Sequence, residues 1–240
     1  MNSLLLILAV TISAAPKDET PKGPIRVLVV SGEDHPAHNW KATGPVVRKV
    51  LEQDKRFDVR IVEDREFLAS EALFDYDVLF LHFKDYKPTA REEQIRENLM
   101  KFTSGGKGLV VFHFACGAFG EWPEFEKIAG KVWDKKTGHD RRREYTVNIT
   151  DKEHPITRGM KDFQADDELY ICLTGKQPVK VLATSRSEIT GKDHPMAFAL
   201  EYGKGRVFHT PLGHDTRSIE MPGVGELIRR GCLWTARRLP

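Results

Sequence analysis

The sequence predicts an α/β protein built on a doubly wound, mostly parallel sheet. Continuous apolar runs at residues 25–31 (IRVLVVS), 78–83 (VLFLHF) and 109–112 (LVVF) have the pattern of strands buried on both faces. Segments with helical spacing stand between them, and glycines close them, as at Ser104-Gly105-Gly106.

Taken in order, residues 25–31 form the first strand. Val46, Val47, Val50 and Leu51 repeat at helical spacing. Residues 57–62 alternate apolar and polar, as a peripheral strand does. Residues 78–83 are the third strand. Thr89-Ala-Arg-Glu92 reads as a capping box opening a helix that carries Ile95, Leu99 and Phe102. Residues 109–112 are the fourth strand and run directly into His113-Phe-Ala-Cys-Gly117. In the second half, residues 145–149, 179–184, 196–200 and 206–210 read as strands. Tyr202-Gly-Lys-Gly205 turns the last two into a hairpin. Pro222 opens a final helix through Leu227, Ile228, Cys232, Leu233 and Trp234.

Composition narrows the function classes. Lys and Arg number 37 against 35 Asp and Glu, for a net charge of +2 over 240 residues. That balance excludes a disordered polyelectrolyte and offers no cationic surplus for nucleic acid. Cys116, Cys172 and Cys232 are too few and too scattered for a disulfide framework or a zinc ribbon. No apolar run reaches the roughly 18 residues of a membrane span. Residues 4–12 are apolar and are followed by Ser13, Ala14 and Ala15, which reads as a secretory signal cut after Ala15, although no Lys or Arg precedes it. The expected organisation is a signal peptide at 1–15, a linker at 16–24 and one domain at 25–240. The expected location is secreted or periplasmic.

Ligands of open α/β sheets bind beyond the carboxyl ends of the strands. Five of the nine histidines fall there: His35 and His38 after the first strand, His82 at the end of the third, His113 after the fourth, and His214 after the last. His35 and His38 also fit a solvated turn, and His82 fits a core histidine bonded to a backbone carbonyl. His113 occupies a strand-to-helix turn, where main-chain amides attract anions. His209 reads as a structural strand residue, and His154 and His194, each before a proline, as loop residues. Asp166-Asp167-Glu168-Leu-Tyr170 is either a solvated turn or a source of a general base with a tyrosine beside it. Residues 141–143, three arginines, read as a solvated face or as partners of nearby acids. Cys116 invites a nucleophile reading, but the strand-end position belongs to His113. Gly-x-Ser-x-Gly, P-loop and dinucleotide fingerprints are absent, so no nucleotide cofactor is expected.

Several segments together resemble the ThuA-like family, named for trehalose utilisation. The resemblance rests on residues 27–32 with His38 and Trp40, on 108–113, on 130–139, and on 151–159. Asp167-Glu168-Leu-Tyr170, residues 202–208 and Leu212-Gly-His214 complete it. It implies a flavodoxin-like fold, similar to class I glutamine amidotransferases, with helices on both sheet faces. Those enzymes present a cysteine where this chain has His113, which speaks against amidotransferase chemistry. The resemblance also implies action on a sugar or 3-keto-glycoside, by isomerisation or a step toward glycosidic cleavage, with an oxidoreductase as pathway partner. It leaves a homo-oligomer open.

On that reading His113, His214, Asp167 and Glu168 are the catalytic candidates. His35, His38, Trp40, His82, His139, Tyr170 and Asp215 are the candidate sugar-binding residues. A divalent metal is left open, with His35, His113 and His214 as its candidate ligands. A non-catalytic carbohydrate-binding module and a hydrolase using Cys116 are the competing readings.

Overall fold

A computed structural model describes residues 23–84 and 87–239; the expected signal peptide and most of the expected linker lie outside them. The strands are β1 (Ile25–Val30), β2 (Phe57–Val62), β3 (Val78–Leu81), β4 (Gly108–Phe112), β5 (Gly138–His139) and β6 (Arg143–Ile149). They continue as β7 (Phe163–Asp167), β8 (Tyr170–Ile171), β9 (Lys180–Arg186), β10 (Asp193–Tyr202) and β11 (Gly205–Thr210). The α-helices are α1 (Trp40–Leu51), α2 (Glu92–Ser104), α3 (Pro123–Ala129), α4 (Thr216–Glu220) and α5 (Pro222–Thr235).

Nine strands form one sheet in the order β2-β1-β3-β4-β11-β10-β9-β6-β7, and β5 pairs with β8 apart from it. The block from β2 through β11 is parallel. From β11 outward every pairing is antiparallel. The strand period of two sorts alternate β1 residues onto opposite faces. Val27 and Val29 join a core with residues of α1, α4 and α5. Leu28 and Val30 join a second core with residues of α2 and α3. Both faces are therefore covered, which is why the parallel strands read as unbroken apolar runs. Among the described residues, no helix is long and apolar enough to cross a membrane.

Three local expectations are corrected. The Thr89–Glu92 capping box does not cap α2. Thr89 Oγ1 accepts the Arg91 N–H at 3.1 Å, and helix begins only at Glu92. The Glu92 carboxylate instead faces Arg96 at 3.0 Å and Arg65 at 3.4 Å. The acidic cluster is no solvated turn: Asp166 and Asp167 end β7 and are buried. His194, read as a loop residue, lies within β10 opposite Ser185.

Candidate functional site

The site forms where the parallel strands end. Beyond β1, Gly32 takes φ +107, with a Cβ position only 2.1 Å from the Glu63 carbonyl oxygen, so only glycine fits the exit. The following loop folds back through a His38 N–H to His35 carbonyl bond of 3.2 Å. Asn39 then caps α1 by accepting the Ala42 N–H at 3.2 Å. These two anchors hold His38 under the loop.

Beyond β4, His113 sits at φ 49, an uncommon conformation for a non-glycine residue. It opens a short 3-10 helix, His113–Gly117, and not the α-helix expected there. Its Nδ1 lies 2.6 Å from the Pro211 carbonyl, so Nδ1 carries the proton and donates it. Its Nε2 is then an acceptor, and the Tyr170 hydroxyl stands 3.0 Å away to donate to it.

Beyond β11, the loop bearing His214 is held by Asp167. The Asp167 carboxylate accepts N–H bonds from Gly213 at 2.6 Å, Glu168 at 2.8 Å and His214 at 3.3 Å. It also accepts the Ser218 hydroxyl. Burial outweighs these bonds and raises its pKa to about 6. Glu168 Oε2 lies 3.2 Å from His214 Nδ1, and Glu168 Oε1 lies 3.7 Å from His139 Nδ1. Burial opposes ionisation of Glu168, but the neighbouring His214 prevails and holds its pKa below the usual range. In return Glu168 raises the pKa of His214.

His38 and His113 behave oppositely. Burial lowers the pKa of His38 to about 2, helped by His113 and His35, and that of His113 to about 3. Both rings are neutral at physiological pH. They meet His214 face to edge: ring centroids lie 4.9 Å apart for His38–His113, 5.0 Å for His38–His214 and 5.5 Å for His113–His214. One ring nitrogen from each lies within 4.8 Å of the others, a spacing suited to a metal ion. His38 replaces His35 in the ligand set expected from sequence. The His35 ring lies tilted beside that of His38, with centroids 4.5 Å apart.

Above this cluster is a cavity of 150 Å³. His35, His38, Lys84, Phe114, Trp133, His139, Glu168 and Tyr170 line it. His113 is fully buried behind Tyr170 and His38. Other sequence candidates stand elsewhere. His82 is buried, with Nδ1 3.0 Å from the Ser31 hydroxyl and Nε2 3.1 Å from that of Thr43, so it offers a ligand nothing. Trp40 donates its indole N–H to Asp34 at 2.8 Å and lines a separate pocket. Asp215 caps α4 through the Ser218 N–H at 3.0 Å and pairs with Arg142, which also grips Asp166 at 3.0 Å. Arg142, and Arg143 with Asp140 at 3.5 Å and Glu188 at 3.4 Å, thus take the second of the two expected roles, partners of nearby acids. Cys116 is fully buried, and burial pushes its thiol up to about 12, so it is no nucleophile.

Lys84, Phe114 and Trp133 join the site beyond the candidates that the sequence offers. Lys84 and Phe114 follow strand ends, so the carboxyl-end rule could have found them. Trp133 follows α3 and carries no such signal; its ring lies 5.3 Å from the Lys84 ammonium.

Residues 26–235 match the family described as ThuA, trehalose utilisation. The chain belongs to the ThuA family. A ThuA-like protein of Parabacteroides merdae is similar at 28% identity, covering 89% of this chain and 90% of that one with a TM-score of 0.78. A ThuA-like protein of Bacteroides uniformis shares 20% identity over 92% of this chain and 95% of that one, TM-score 0.70. A glutamine amidotransferase of Thermotoga maritima shares the fold at 12% identity, over 88% and 98% of the two chains, TM-score 0.52. No curated protein matches this ThuA-family chain.

Proposed function

We propose that this ThuA-family protein performs acid–base chemistry on a 3-keto-glycoside in the cavity above the three histidines. The observation that carries the reading is the Glu168 carboxylate on the cavity wall, backed by His214 and facing the same space as Tyr170 and Lys84. A ketone at C3 acidifies the C–H bond at C2. Glu168 removes that proton, and the C–H electrons move onto the ketone oxygen as an enolate. The Lys84 ammonium supplies the charge that the developing oxyanion needs, and the Tyr170 hydroxyl turns its single proton from His113 Nε2 to that oxygen. Reprotonation elsewhere gives an isomer. Alternatively the enolate electrons form a C1–C2 double bond as the C1–O bond breaks, and the departing glycosidic oxygen takes the proton from Glu168, which gives cleavage. Trp133 offers an apolar face to the sugar ring. His113 acts through Tyr170, to which it is bonded, and so is a positioning residue.

The test is solvent deuterium exchange. In D₂O the protein should place deuterium at C2 of a 3-keto-glycoside. Glu168→Gln should slow exchange by about 10²–10⁴-fold, the usual contribution of a general base. Tight binding of the unoxidised sugar with no exchange would replace this reading with a carbohydrate-binding module. The apolar segment at 4–12 and the small residues before Pro16 support export as part of the same reading, checked by the mass of the protein from its native envelope.

A further inference from the structure

Three imidazoles from three distant segments meet on the buried side of the cavity. His38 comes from the loop after β1, His113 from the end of β4 and His214 from the loop after β11. His38 Nδ1 is shielded from solvent and has no hydrogen-bond partner among the described residues. His38 is only 8% exposed, and its ring meets the other two nearly at right angles. The His113 ring is hydrogen-bonded from outside the cluster, and His214 Nδ1, which like His38 Nδ1 makes no hydrogen bond among the described residues, lies beside an acid. The Pro211 carbonyl takes His113 Nδ1 at 2.6 Å, and Glu168 lies 3.2 Å from His214 Nδ1. An outer acceptor that fixes one nitrogen and presents the other is the arrangement metal-binding histidines have.

We propose that His38, His113 and His214 bind one divalent transition cation, such as zinc or cobalt, with a further coordination position open toward the cavity. A neutral three-imidazole set suits these ions and disfavours magnesium and calcium, which take oxygen ligands. Around a tetrahedral zinc at about 2.0–2.1 Å, nitrogens stand about 3.3–3.4 Å from one another. A cluster already within 4.8 Å reaches that spacing by modest rotation of the rings. The Tyr170 hydroxyl, 3.0 Å from His113 Nε2, is the group that gives up this nitrogen to the cation. The inference rests on the histidines alone and does not depend on the sugar reading.

The experiment measures metal directly. The full chain, stripped with chelator, is titrated with Zn²⁺ by calorimetry, and bound metal is counted by elemental analysis after gel filtration. One zinc per chain is expected. His38→Ala and His214→Ala should each weaken binding by about 100-fold or more, since even outer partners of ligands are worth 10–100-fold. His35→Ala should bind as the parent does. Co²⁺ loading should give the visible absorption of a tetrahedral or five-coordinate site in the parent and lose it in both ligand variants. Using two variants in separate loops keeps the result readable if one folds poorly. No stoichiometric zinc in the parent, or undiminished binding in both folded variants, overturns the proposal.

Discussion

Asp167 shows how one buried carboxylate can set a loop. It makes no contact with the cavity, yet it accepts the main-chain N–H groups of Gly213 and His214 and so fixes where the His214 ring stands. Removing it strands several buried donors, each costing about 1–3 kcal/mol. Asp167→Ala should therefore destabilise the protein by about 3 kcal/mol or more in denaturant unfolding, with Asp167→Asn costing less because it keeps an acceptor oxygen. An Asp167→Ala protein as stable as the parent would show that the loop holds itself. The cysteines give a second check at this scale. Cys116 and Cys232 are buried, with burial raising both thiols, while Cys172 is exposed. Native alkylation should label Cys172 alone, and Cys116→Ala should retain activity. The residue types at the site were legible in the sequence because they fall at strand ends. Their roles were not. Whether His38 or His35 turns inward depends on the loop's fold-back bond, and whether Asp167 faces solvent depends on amides contributed 46 and 47 residues later.

At the scale of elements, the parallel half was legible and the far edge was not. β1, β3 and β4 are buried on both faces, so their apolar runs announce them. β7 reads FQADD and carries two acids that become tolerable only once Arg142, Arg217 and the Gly213 loop arrive. Those partners are distant in sequence, so no local pattern encodes the strand. The two-residue strands β5 and β8 are likewise held by their pairing with each other. The approach of the last loop to β4 is tight. Gly213 takes φ +118, and a Cβ there would lie 2.0 Å from Phe112 Cζ. Gly213→Ala should cost about 1–3 kcal/mol through overpacking and displace His214. The check is thermal unfolding together with the chemical shift of the His214 ring. Unchanged values for both would mean the loop does not need the close approach.

Across the whole molecule, the buried histidines couple stability to pH. Burial lowers both His82 and His209 from 6.5 to about 4. The unfolded chain takes up these protons near pH 6.5, while the folded protein refuses them until about 4. Stability from these two groups is thus full above 6.5 and falls as pH drops, by about 1.4 kcal/mol per pH unit for each. His38 and His113, lowered further, add to the slope in the same direction. Denaturant unfolding between about pH 7 and 5 should show this loss. A flat profile would mean that these rings are hydrated or protonated in the fold.

On the proposed function, a keto-sugar lies in the cavity between Glu168 and Tyr170, above the three histidines. A crystal structure of Glu168→Gln soaked with a 3-keto-glycoside tests it most directly, because the variant slows turnover while keeping the shape of the side chain. The ketone oxygen should lie within hydrogen-bonding distance of Tyr170 or Lys84, the C2–H bond should point at residue 168, and the ring should face Trp133. A sugar seated instead in the pocket at Asp34–Lys41, or in the groove beside Trp122, with the cavity above His113 empty, would overturn the proposed function.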